Sequence, residues 1–161
     1  MGLAIMILGL AVFLGSHTFT SLRAPRAAVV ARLGEGPYKG VYALVAHVSG
    51  LSEGHVYSRH HGPRLLSGVV SSHSPVDAVS LLLRRRDHGR CSSYDGTTER
   101  FRHARCGTGS FFHVSNSGAF SYLLPAALGR GRYVLDIRAS DTAGNQVALA
   151  RGTSRTVFYV H

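Results

Sequence analysis

The sequence predicts an all-β antiparallel sandwich over residues 63–161, preceded by an N-terminal transmembrane helix and a short second apolar segment. Three observations lead there. Residues 3–15 contain no polar side chain, and the first charge is Arg23. A soluble helix would interleave polar residues at helical spacing, whereas a run of this length suits a bilayer-crossing helix. After about residue 62 the chain changes to short β-rich stretches separated by turn residues, the pattern of an antiparallel sandwich. An apolar content of 45% is enough to fill a core of that kind.

The membrane-like part divides into a span at 3–22, a charged loop at 23–40 and a partial span at 41–51. No basic residue precedes the first span and no A-x-A site follows it, so it reads as an uncleaved anchor rather than a signal peptide. Arg23, Arg26 and Arg32 follow the span, and the positive-inside rule places that flank in the cytoplasm. The second run, "VYALVAHVSGL", has too few residues to cross a bilayer as a helix. Three readings of that unfinished hairpin stand: an anchor for a tethered sandwich, a membrane-protein start joined to an unrelated β-domain, or a membrane protein throughout. Residues 52–62 read as a linker.

Within the β-region, "RLLSGVVSS" (64–72) is a short strand, and "VDAVSLLLRRR" (76–86) is β-compatible, with helix an alternative. "GRCSSYDGTTERFRHARCG" (89–107) holds two strands about an Asp95-Gly96 turn. "GSFFHVSNSGAFSYLLP" (109–125) holds two more about Asn116-Ser117-Gly118. In "GRYVLDIRAS", Tyr133, Leu135, Ile137 and Ala139 alternate with Val134, Asp136 and Arg138, as a half-buried strand requires. "DTAGN" makes a turn, with Asp136 expected on the exposed face and Asp141 in an Asx-type turn. "SRTVFYV" is the last strand.

The formal charge is +10, but seventeen of the eighteen basic residues are Arg, with Lys39 the exception, and they are spread along the chain. No zinc-finger, helix-turn-helix or ribonucleoprotein pattern accompanies them, so nucleic acid is not the expected partner. Two cysteines, Cys91 and Cys106, form a disulfide if the domain is exported, and remain reduced thiols otherwise. His55, His60 and His61 lack the supporting ligands of a zinc site, and no metal site is expected. The acids are few and dispersed, "GTGS" lacks a P-loop lysine, and "SHSPVD" is adjacency rather than a triad; no catalytic residue is expected.

Two resemblances add to this reading. "LGLAVFLGSH" with "RLGEGPYKGVYALVA" resembles the start of the NnrU family of bacterial membrane proteins, through Arg32, Gly34, Glu35, Gly36, Tyr38, Lys39 and Gly40. The resemblance implies an integral membrane protein linked to nitrite and nitric oxide metabolism, with His17 as an axial ligand of haem b. "FSYLLPAALGRGRYVLDIRASDTAGN", together with Cys91, "YDG", "ERF" and "RCG" upstream, resembles immunoglobulin-like domains of exported actinobacterial proteins. It implies an immunoglobulin-like sandwich in which Tyr133 ties a loop to the backbone as a tyrosine corner.

The expected function is a membrane-anchored, non-enzymatic, extracytoplasmic module that binds or spaces, without cofactor. Its partners are the lipid bilayer and a protein or glycan ligand. The alternative is an NnrU-type membrane protein carrying haem.

Overall fold

A computed structural model describes residues 44–161 throughout, together with Met6, Ile7, Leu10, Val12 and Leu14 near the N-terminus. The chain divides into two units, Met1–Ala43 and Leu44–His161. In the first, the five described residues are helical and expose their side chains. Among the described residues no helix is long and apolar enough to cross a membrane. The expected span at 3–22 and loop at 23–40 otherwise lie outside the described residues.

The second unit is all-β. Its strands are β1 (Val45–Ser49), β2 (Val56–Tyr57), β3 (Leu65–Ser71), β4 (Val76–Asp87), β5 (Arg90–Asp95), β6 (Arg100–His103), β7 (Phe112–Ser115), β8 (Ala119–Leu123), β9 (Gly131–Asp141) and β10 (Arg155–Val160). One sheet has the order β1-β3-β8. The other runs β2-β10-β9-β4-β5-β6, with β7 also on β4. Along one edge of β4, β7 pairs with its first half and β5 with its second, while β9 runs along the whole of the other edge.

Alternation accounts for the core. Tyr133, Leu135, Ile137 and Ala139 of β9 are all buried, as their spacing predicts. Val79, Leu81 and Leu83 of β4 join them on the same side. Leu66 and Val70 of β3, Phe120 of β8, and Ala46 and Val48 of β1 face them from the smaller sheet. At Gly68 a Cβ would meet the His47 carbonyl oxygen at 2.3 Å and the Phe120 ring at 2.6 Å, so the absence of a side chain there lets both approach β3 closely.

Three expectations change. Of the partial span at 41–51, Val45–Ser49 is strand: β1 alternates exposed and buried residues and pairs with β3 from Val45↔Ser71 to Ser49↔Ser67. A strand buried on one face needs only half its residues apolar, and a short apolar run serves that as readily as it begins a span. The linker at 52–62 belongs to the sandwich. β2 runs parallel to β10, and Glu53 accepts the Val157 N–H at 2.7 Å and Arg151 Nε at 2.5 Å. The sandwich unit therefore begins at Leu44 rather than at 63. Residues 76–86 are strand, as their β-compatible composition favours, and the expected turn at 116–118 joins strands of different sheets.

The loop entering β9 is pinned from both sides. The Tyr133 hydroxyl donates to the Gly129 carbonyl at 2.6 Å, the corner expected of it, and Arg85 Nε donates to Arg130 O at 2.9 Å. Burial pushes the Tyr133 phenol up to about 12. Tyr133→Phe leaves a carbonyl without its donor and should cost about 1–2 kcal/mol, read as a lower urea midpoint with an unchanged m-value.

Candidate functional site

The outer face of the larger sheet carries the chemistry. Inward-facing residues of β4 and β9 are apolar, so the opposite phase of the same strands collects Arg84, Arg86, Arg132, Val134, Asp136 and Arg138. Registry then assembles rows across four strands. One row runs Cys91, Arg86, Arg132 and Tyr159. The next runs Ser93, Arg84, Val134 and Val157. Asp136 follows, between Leu82 and Arg155.

Asp136 is 1% exposed, not on an open face as the sequence suggests. A carboxylate so buried requires cationic partners to offset its desolvation. Arg155 supplies two bonds, Nε to Oδ1 at 2.6 Å and Nη2 to Oδ2 at 3.0 Å, and Arg84 Nη2 also bonds Oδ2. The bond to Asp136 raises the Arg155 pKa above its ordinary value. Arg84 spends its other arm on the Gly107 carbonyl at 2.7 Å. Asp141 is also buried, though it holds its expected turn. Burial would raise its pKa, but bonds from Asn145 at 2.8 Å and Ser72 at 2.7 Å outweigh that and lower it.

A loop overhangs this face and makes a wall. Cys91 on β5 is bonded to Cys106, with Cα atoms 5.1 Å apart. Ala104 N donates to Cys91 O at 3.1 Å, and Thr108 N to Arg105 O at 3.0 Å. Gly107 turns the loop at a left-handed φ of 87°. Beyond it, the Arg138 guanidinium lies 3.9 Å from the centre of the Phe111 ring. The disulfide, the Arg84–Gly107 bond and this cation–π contact thus hold one loop against one sheet face.

Between loop and sheet lies a groove of about 420 Å³. Val134 and Val157, direct cross-strand neighbours, line it among arginines. Four of these have acidic partners: Arg84 and Arg155 on Asp136, Arg151 on Glu53, and Arg85 on Asp87 at 2.9 Å. Arg86, Arg105 and Arg132 also line it, and no ion pair to them is found among the described residues. All three are exposed. The groove therefore holds an excess of fixed positive charge.

Of the residues expected from sequence, the structure brings Cys91 and Cys106 together at the groove wall and gives Tyr133 its corner. His17, Arg32, Gly34, Glu35, Gly36, Tyr38, Lys39 and Gly40 lie outside the described residues. His55, His60 and His61 form no metal cluster; among the described residues no group of three or more His, Cys, Asp or Glu side chains could hold an ion. The arginine groove and its buried Asp136 escape a linear reading. The available signal was the outward phase of β4 and β9, where a basic triplet at 84–86 meets a lone acid between apolar positions.

Comparisons with known proteins bear on each part of the chain. The family model of the NnrU protein matches residues 5–60, fewer than half of the chain. The chain is similar to that family over this stretch, and the matched stretch extends into β1 and β2. No curated protein matches the chain. A solved structure of murine CRIg is similar at 11% identity over 72% of this chain and 96% of that one, with a TM-score of 0.35.

Two outcomes follow. Asp136→Asn leaves two guanidiniums facing an uncharged amide. It should cost on the order of 3 kcal/mol, the low end for a buried pair because Arg155 is partly exposed, measured by urea unfolding. Reducing the disulfide, or Cys106→Ser, frees a 15-residue loop. The chain-entropy model then gives a loss of about 3 kcal/mol, read as a lower unfolding midpoint with dithiothreitol present.

Proposed function

We propose that Leu44–His161 is an immunoglobulin-like binding module, non-enzymatic, displayed outside the cytoplasm by a membrane-anchored N-terminal segment. With Val45–Ser49 a strand and not a second span, this requires the anchor to run opposite to the orientation that Arg23, Arg26 and Arg32 favour, and the disulfide carries the greater weight. The strand order supports the architecture. A β10-β9-β4-β5-β6 sheet opposite β1-β3-β8 corresponds to the variable-type arrangement, in which extra strands widen one sheet. The Tyr133 corner at the start of β9 sits where such a sandwich places it. The observation that carries the compartment is the Cys91–Cys106 disulfide, since such bonds persist in oxidising surroundings. The exposed helical residues Met6, Ile7, Leu10, Val12 and Leu14 support a lipid-facing anchor. The groove supports binding over catalysis. Its guanidiniums are permanently protonated and suited to holding anions, not to moving protons.

A second reading rests on the family-model match at 5–60, which favours an NnrU-type membrane protein of nitrite or nitric oxide metabolism. In that reading His17 would hold haem b. Purified protein would then show a haem absorbance band that His17→Ala abolishes.

Thiol accessibility decides the compartment. With an impermeant maleimide on intact cells, Cys91 and Cys106 should label only after reduction. Labelling that requires breaking the membrane, and no reductant, would sink the extracytoplasmic reading.

A further inference from the structure

We propose that the arginine groove binds the anionic groups of an acidic oligosaccharide, one bearing sulfate or uronate along its chain. This rests on the binding-module reading and names its ligand class.

The first ground is an uncompensated electrostatic cost. Arg86 and Arg132 are direct cross-strand partners on the outer face, and like charges in that position repel. Elsewhere on this face acids offset part of the charge: Asp136 sits between Arg84 and Arg155, and Glu53 meets Arg151. Arg86 and the loop residue Arg105 form no ion pair among the described residues, Arg132 has only a longer-range attraction to Glu53, which is already bonded to Arg151, and all three converge on one groove. An oxyanion between them removes the repulsion, and guanidinium forks suit the planar edge of a carboxylate or two oxygens of a sulfate.

Shape and floor select among anions. The groove volume, about 420 Å³, lies in the range of small-ligand sites rather than of a flat protein interface. Val134, half-buried, gives its floor a small apolar surface for the C–H face of a pyranose ring, with Val157 buried beside it. Single-stranded nucleic acid is held chiefly by stacking on aromatic side chains, and none lines this groove. The cations are also distributed. Arg86 and Arg132 occupy one row, Arg105 stands on the overhanging loop, and Arg151 and Arg155 lie towards β10. That spread suits several anionic groups spaced along one chain better than a single small ion. The disulfide and the Arg84–Gly107 bond set the groove width before a ligand arrives, which lowers the ordering cost of binding.

The test uses the full chain in detergent and a fluorescent, fully sulfated heparin-derived hexasaccharide, read by polarisation in about 0.15 M salt. The double variant Arg86→Ala/Arg132→Ala should weaken binding by roughly ten-fold or more. Arg59→Ala/Arg100→Ala removes two exposed arginines outside the groove and should change it by less than about two-fold. Equal losses from the two double variants would mean general attraction to a +10 protein and would overturn the proposal. So would an oligothymidylate of equal charge that binds as tightly and with the same dependence on Arg86 and Arg132. Arginine modification by phenylglyoxal on the unmutated protein covers any folding defect. The hexasaccharide should protect Arg86 and Arg132 but not Arg100, and uniform protection would also overturn the site. These readouts use purified protein, so a cytoplasmic result from thiol labelling leaves them standing and identifies which proposal failed.

Discussion

The outer face of the larger sheet is organised by the Asp136 carboxylate. It is fully buried on a strand whose other face already fills the core, so water cannot solvate it. Arg84 reaches it from β4 and Arg155 from β10, and one anion therefore ties three strands side by side. Because one carboxylate serves two guanidiniums, the cluster keeps a net positive charge. Arg84 passes the constraint on, since its second arm holds Gly107 and with it the loop that Cys106 anchors to β5. The groove exists because this chain of bonds keeps a loop standing over a sheet that would otherwise be open.

A second tie decides where the domain begins. Glu53 bonds both the backbone of Val157 and the side chain of Arg151. Those bonds, with β2 parallel to β10, draw residues that read as linker into the larger sheet. β1 does the same for the smaller sheet through its pairing with β3. The NnrU-like match and the β-unit therefore overlap between Leu44 and residue 60. A junction near residue 51, where polarity changes in the sequence, would cut through the sandwich after its first strand.

Much of the core was legible. β9 alternates cleanly because Tyr133, Leu135, Ile137 and Ala139 share one face, and burial needs only that phase. The hairpin at Asp95-Gly96 and the terminal strand were legible for the same local reasons, although Asp95 ends β5 and the connecting loop runs over residues 96–99. β1 was not, since "ALVAHV" is equally the start of a membrane span until a partner strand claims alternate residues. Nor was Asp136, which lies in the polar phase of β9 and looks exposed there. Its burial comes from Arg84 and Arg155, 52 and 19 residues away in the chain.

The sequence by itself determined the β-character of the C-terminal part and the inward face of its main strand, both of which depend on side-chain phase or turn chemistry within a few residues. The tyrosine corner was implied by the resemblance to immunoglobulin-like domains, and the disulfide was conditional on export. Tertiary structure alone decided which strands adjoin, that the turn at 116–118 passes between sheets, and that Arg86 meets Arg132 across a strand pair. Those are matters of register between distant segments, and register is set by mutual burial and backbone pairing of the whole sandwich. The groove belongs to that second class, because its arginines come from β4, β9, β10 and two loops that no local pattern brings together.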